Sequence, residues 1–229
     1  MKVLLCLLLC LPLPAEAGCR LALALAMDVS RSVDGADFVI QTEGLALALE
    51  DAAVRDAFFA PAGAVALAVY QWSGESYQEV LVDWVLVERV DDLDRVAALV
   101  RAAQRPERRQ LTALGEALSF GHALLARAPD CGRRVIDVAG DGQNNQGRTP
   151  ARVYAAKDWA GITVNALAIQ AHEMGLTAYF HDALIRGPGA FVEVAHSQYD
   201  FPPAIRRKLI RELTEALAGL PAPPPGQRS

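Results

Sequence analysis

The sequence has little from which a hydrolytic or soft-metal centre is built. Its four histidines, His122, His172, His181 and His196, show no ligand spacing. His172-Glu173 begins like the zinc motif H-E-x-x-H, but Leu176 stands where the second histidine belongs. No G-x-S-x-G elbow occurs, so the usual serine-hydrolase turn is excluded. Asp28-Val29-Ser30 lacks the second aspartate of aspartyl-phosphate phosphatases. Asp141-Gly142-Gln143-Asn144-Asn145 starts like a calcium loop, yet its glycine is misplaced and Arg152 replaces the closing glutamate. Positive charge is also short: 22 Lys and Arg against 27 Asp and Glu give a net charge of −5 with no basic patch, which argues against nucleic-acid binding. Beyond the N-terminus no apolar run approaches the roughly 20 residues that span a bilayer. No internal repeat or linker divides the chain. What is present is apolar: 52% of the 229 residues are hydrophobic and 21% charged, a composition that folds.

Residues 1–17 read as an address. Met1-Lys2 is a short positive start, Val3–Leu13 is uncharged and apolar, and Ala15-Glu16-Ala17 fits the small-x-small cleavage rule. A secretory signal cleaved after Ala17 is expected, placing the mature chain in the periplasm or outside the cell. Cys6 and Cys10 leave with it. The two remaining cysteines, Cys19 and Cys131, precede the apolar runs Leu21–Met27 and Val135–Ala139 by similar distances. In an oxidising compartment they are expected to form one disulfide, the alternative being two free buried thiols.

Strand-like and helix-like segments alternate. Leu21–Met27, Ala64–Gln71, Arg134–Gly140, Ile162–Ile169 and Phe191–Ala195 read as strands, most of them buried on both faces. Tyr77–Val87 is a further extended segment, paired with Ala64–Gln71 in a hairpin. Asp34–Phe58, Asp91–Ala103, Thr112–Ala128, a segment opening at Thr149-Pro150, Leu176–Ile185 and Ala204–Leu217 read as helices. The pattern predicts an α/β fold: a doubly wound, mostly parallel six-stranded sheet flanked by helices, with one antiparallel edge strand. One domain is expected over residues 18–219, followed by a Pro-rich tail at 220–229.

In such sheets ligands sit beyond the carboxyl ends of the strands. Three oxygen-rich segments fall there. Asp28, Ser30 and Ser32 follow the first strand, Asp141-Gly142 follows the fourth, and Thr112 heads a helix from the N-cap position. Taken singly these are ordinary cap and turn residues. Together they offer two carboxylates and three hydroxyls, a hard donor set suited to Mg²⁺ or Mn²⁺. Trp72, Asn144 and Asn145 lie on loops at the expected rim. Trp72 reads either as an aromatic contact or as packing beneath the rim, and the two asparagines either touch a ligand or brace their loop.

With these residues in view, the sequence resembles the von Willebrand factor type A domain over about residues 19–218. The family's metal-ion-dependent adhesion site is matched by Asp28, Ser30 and Ser32 in D-x-S-x-S, by Thr112 in T-A-L-G-E-A-L, and by Asp141 in G-D-G. Gln110-Leu111, where many bacterial members have two glycines, and Gly140, where a threonine is frequent, depart from the pattern without removing a ligand. Gln71–Gly74, Val135–Gly142 and Gly187–Val192 further resemble an exported bacterial family catalogued as domain of unknown function 1194. The resemblance implies first and fourth strands side by side, in keeping with a Cys19–Cys131 bridge. It also implies a non-enzymatic binding module whose metal takes an acidic side chain from a protein partner. A metal-dependent hydrolase and a scaffold with a vacant site are the other readings.

Overall fold

The computed structural model describes residues 18–106 and 110–218, with side chains described as far as residue 214. The expected signal segment and the tail beyond residue 218 lie outside these residues. The elements are β1 (Cys19–Asp28), α1 (Gly35–Glu50), α2 (Ala52–Phe59), β2 (Val65–Trp72), β3 (Gln78–Val87) and α3 (Val90–Arg101). There follow α4 (Leu114–Leu125), β4 (Cys131–Gly140), α5 (Pro150–Ala156), β5 (Ile162–Ile169), α6 (Leu176–Tyr179), β6 (Val192–Ala195) and α7 (Phe201–Ala218). A π-helical turn, Phe180–Leu184, continues α6.

The six strands run in the order β3-β2-β1-β4-β5-β6, all parallel except the edge strand β3, which returns antiparallel from β2. This is the predicted mixed sheet. Its central strand shows how the sequence sorts the two faces. Side chains alternate along a strand, so residues of one parity share a face. In β1 the odd positions are Leu21, Leu23, Leu25 and Met27, and the even ones are Ala22, Ala24 and Ala26. The leucine face packs with α1, α2, α3 and α7 in the larger core cluster. The alanine face, continued by Ala66 and Ala68 of β2, lets Leu114, Ala117 and Leu118 of α4 come close to the sheet. Tyr70 and Trp72, fully buried, fill the remaining space on that side.

At the base of the sheet Cys19 pairs with Cys131 across β1 and β4, and the two are joined in a disulfide with Cα atoms 4.5 Å apart. Adjacent parallel strands starting at one level bring the sulfurs together, as the sequence led one to expect.

Several helix boundaries differ from the sequence reading, and two of them have a plain local cause. The single helix expected over 34–58 is two, broken at Asp51, whose extended backbone ends α1. Its carboxylate then accepts from the amides of Ala53 and Val54 at 2.9 and 3.2 Å, capping α2. Apolar spacing continues across such a break, so periodicity does not reveal it. Arg206 of α7 pairs with the same carboxylate at 2.9 Å. Asp51→Ala is expected to cost about 1 kcal/mol, the usual value of a lost cap, measured as a lower urea midpoint with an unchanged m-value. The last helix starts at Phe201, not Ala204. Pro202 and Pro203 fall in its first turn, where a missing N–H costs nothing.

Candidate metal centre

β1 ends at Asp28, and the chain turns at once through Val29 to Ser32. Asp28 is wholly buried, and its Oδ1 accepts from the amide of Ser30 at 2.7 Å. Val29 N donates to the carbonyl of Trp72 at 2.8 Å, and Arg31 N to that of Gln110. The loop is therefore held from two sides by backbone. It turns both serine hydroxyls toward one point: Ser30 Oγ lies 3.1 Å from Ser32 Oγ, and Ser32 Oγ donates to Asp141 Oδ1 at 2.6 Å. The hydroxyl of Thr112 reaches Ser30 Oγ at 3.3 Å. Asp28, Ser30, Ser32, Thr112 and Asp141, drawn from three separated segments, thus form one cluster at the carboxyl ends of β1 and β4.

Thr112 does not cap α4 as the sequence suggested. Ala113 occupies the N-cap position and offers no side-chain bond. Thr112 N donates instead to Asn145 Oδ1 at 2.8 Å, while Asn145 N and Gln146 N donate to the carbonyl of Thr112. Asn144 Oδ1 accepts from Gly115 N at 3.2 Å. The two asparagines therefore brace the loop after β4 against the start of α4. Asn145→Ala is expected to cost about 1–2 kcal/mol, because the amide of Thr112 loses its partner; a thermal melt beside the wild type checks it.

Of the two readings of Trp72, packing beneath the rim is the one the fold adopts: the side chain is fully buried and makes no rim contact. The sequence reading ended the strand at Gln71, but pairing continues through Trp72 opposite Asp28, which turns the indole inward. A β-carbon built on Gly140 would stand 3.2 Å from Asp28 Oδ2 and 3.4 Å from the Trp72 ring. Glycine at position 140 thus keeps room beside the Asp28 carboxylate, with the buried indole packed next to both.

The mouth is a cleft of about 270 Å³ lined by Arg31, Ser32, Leu111, Thr112, Asp141 and Glu173, among others. Sequence reasoning missed Gln198. This buried side chain donates to Asp141 Oδ2 at 3.4 Å and accepts from Gln41 at 3.2 Å. It is one polar residue in a short turn after β6, with no spacing to mark it. Glu173, at the cleft edge, accepts from Gln143 N at 3.2 Å.

The electrostatics suit a bound cation. Burial and the neighbouring Asp141 push the Asp28 carboxyl up to about 8, against the opposing bonds from Ser30. Burial also raises Asp141, with the Ser32 hydroxyl opposing. Asp28 Oδ2 is buried without any hydrogen-bond partner. A buried carboxylate oxygen in this condition costs free energy unless a cation or proton meets it. Among the described residues no grouping of three or more His, Cys, Asp or Glu side chains could hold a metal. The donor set here is two carboxylates with hydroxyls, which fits a hard divalent ion and not a soft one.

A family model described as "Protein of unknown function (DUF1194)" matches residues 18–217. No curated protein matches the chain. Among solved structures, the proximal thread matrix protein 1 of the mussel byssus superposes with a TM-score of 0.64 at 13% identity, over 87% of this chain and 49% of that one. The same mussel protein with a zinc-occupied adhesion-site motif gives 0.60 at 15%, over 88% and 46%. A von Willebrand factor type A protein from Catenulispora acidiphila gives 0.59 at 14%, over 86% and 42%. The chain spans less than half the length of these structures, and at such identities the likeness shows the fold, that of the von Willebrand factor type A domain. The match over residues 18–217 settles the family: the chain belongs to DUF1194.

Proposed function

We propose that this chain is an exported binding module that holds Mg²⁺ or Mn²⁺ at Asp28, Ser30, Ser32, Thr112 and Asp141 and uses it to grip an acidic side chain of a protein partner. The observation that carries this reading is the unpartnered, buried Asp28 Oδ2 beneath three converging hydroxyls. Asp28 and Asp141 would supply the negative charge, and the serine and threonine hydroxyls would complete a neutral oxygen set. A divalent ion held by two carboxylates keeps an open position that accepts a third from outside. The cleft between Arg31, Leu111 and Glu173 would frame the incoming carboxylate, with Arg31 adding positive charge at the mouth. The zinc reported in the adhesion-site motif of the mussel structure supports a divalent ion at the equivalent place.

The test has two stages. Calorimetric titration with MgCl₂ or MnCl₂ should show one saturable site that Asp28→Ala and Thr112→Ala each abolish. Binding partners captured from the envelope fraction in Mg²⁺ should then be released by EDTA and fail to bind the Thr112→Ala variant. They should also be lost when their carboxyl groups are first blocked as amides. Absence of any metal heat with folded protein overturns the reading. Capture that survives EDTA or carboxyl blocking overturns its second half.

A further inference from the structure

Away from this cleft, the leucine face of the sheet buries three charged side chains that no part of the binding site uses. Lys208 and Glu212 of α7 and Asp137 of β4 are each at most 2% exposed. Lys208 Nζ lies 3.1 Å from Asp137 Oδ1 and 3.1 Å from Glu212 Oε1. Asn165, the β5 residue in register with Asp137, donates to Glu212 Oε1 at 2.7 Å and accepts from Phe191 N at 2.9 Å. The centre of the Phe191 ring sits 4.2 Å from Lys208 Nζ. Asp137 Oδ2 and Glu212 Oε2 have no partner. On its other side Asp137 is in register with Leu25.

Two carboxyl groups and one amine cannot all be charged here without leaving a net buried charge. One carboxyl group must hold a proton. Burial pushes Asp137 up to about 6, with Lys208 opposing and Glu212 adding to the rise. The cluster therefore holds a poised carboxylic acid, an amine and a second carboxylate in contact within a buried pocket, with the Lys208 nitrogen 3.1 Å from an oxygen of each carboxyl group. Groups fixed against one another in this way react as though at very high concentration once the nitrogen turns onto the carboxyl carbon.

We propose that Lys208 and Asp137 condense to an intramolecular isopeptide bond, with Glu212 as the proton carrier. Glu212 takes a proton from the Lys208 ammonium, leaving a neutral amine as the nucleophile. The Nζ lone pair attacks Cγ of protonated Asp137, so the N–C bond forms. Glu212 passes its proton to the departing hydroxyl and takes the surplus proton from nitrogen. The C–O bond breaks and one water leaves. Asp137 and Lys208 end as an amide, and Glu212 ends as a neutral acid. No oxidant or outside reactant is needed. The ammonium and carboxylate charges vanish from the core, which is the driving force: a buried ion pair is exchanged for a neutral amide, and the water goes to bulk. The bond ties α7 to the second central strand of the sheet.

Mass spectrometry reads this directly on the full chain, purified and then reduced and denatured. The expected mass is lower than the sequence mass by one water. The tryptic digest should hold a branched peptide joining the Asp137 segment to the Lys208 segment, with no cleavage at Lys208. Lys208→Arg and Glu212→Gln should both restore the full mass. The native protein alone decides the bond, whatever the folding of the variants. An intact mass equal to the sequence overturns the proposal. So does a water loss without the branched peptide, the mark of a succinimide. A branched peptide that persists undiminished in Glu212→Gln overturns the role of Glu212.

Discussion

Removing the Cys19–Cys131 bridge is expected to cost about 3–5 kcal/mol. The bonded cysteines are 112 residues apart. A closed loop of about 100 residues is worth roughly 4.7 kcal/mol in the chain-entropy account, and native disulfides lost from small secreted domains cost about 2–5. For a domain of this size each kcal/mol lowers the melting temperature by about 2–4 °C, so a double Cys→Ser variant should melt about 6–20 °C lower than the oxidised protein. Scanning calorimetry of that variant, and of the wild type with and without dithiothreitol, makes the measurement. The bridge lies at the start of β1 and the cluster at its other end. Once folded, the double variant should therefore keep the full metal-induced rise in melting temperature. Loss of that rise would mean that the base of β1 positions Asp28, contrary to the local bonds described above.

How much could be read from the chain follows from which forces are local. The strands are legible because a parallel strand buried on both faces has to be an unbroken apolar run, as in Leu21–Met27. The candidate cluster is legible because the topology places the ends of β1 and β4 side by side, so D-x-S-x-S and D-G converge. The end of β2 is where the reading stayed open. Ending β2 one residue early put Trp72 in a loop, whereas in a strand the same residue points into the core. Asp51 escaped because a cap can interrupt a helix without disturbing its apolar spacing. Gln198 escaped because its role depends wholly on Asp141 and Gln41, both remote in sequence. Lys208 and Glu212 carry no signal of their own within the helix expected over Ala204–Leu217. Only the packing of that helix over Asp137 and Asn165 shows that they face inward.

The metal-free protein should grow less stable as pH rises from about 4 to about 8, and magnesium should remove the part of that decline that Asp28 causes. In the folded chain the Asp28 carboxyl stands near 8 against an unperturbed 3.8. Between those values the folded state holds a proton that the unfolded chain has released, so raising the pH favours unfolding. The slope is at most about 1.4 kcal/mol per pH unit. The contribution is complete below the unfolded value and is lost as pH passes the folded one. Asp28→Asn removes the titrating group while keeping the acceptor for Ser30 N. In EDTA at pH 8 the variant should therefore be at least as stable as the wild type, and its stability should be flatter with pH. Saturating Mg²⁺ reverses the ranking. Ligand at 100 to 1,000 times its dissociation constant stabilises the wild type by about 3–4 kcal/mol, or about 5–15 °C in melting temperature. The Asp28→Asn protein, with one carboxylate fewer, gains little. A cation that replaces the proton on Asp28 makes the carboxylate an asset at neutral pH, so the sign of the substitution depends on the metal. If wild type and variant shift equally in Mg²⁺, Asp28 is not a ligand. If the wild type in EDTA is indifferent to pH, the charge held at the end of β1 is already balanced by the protein alone.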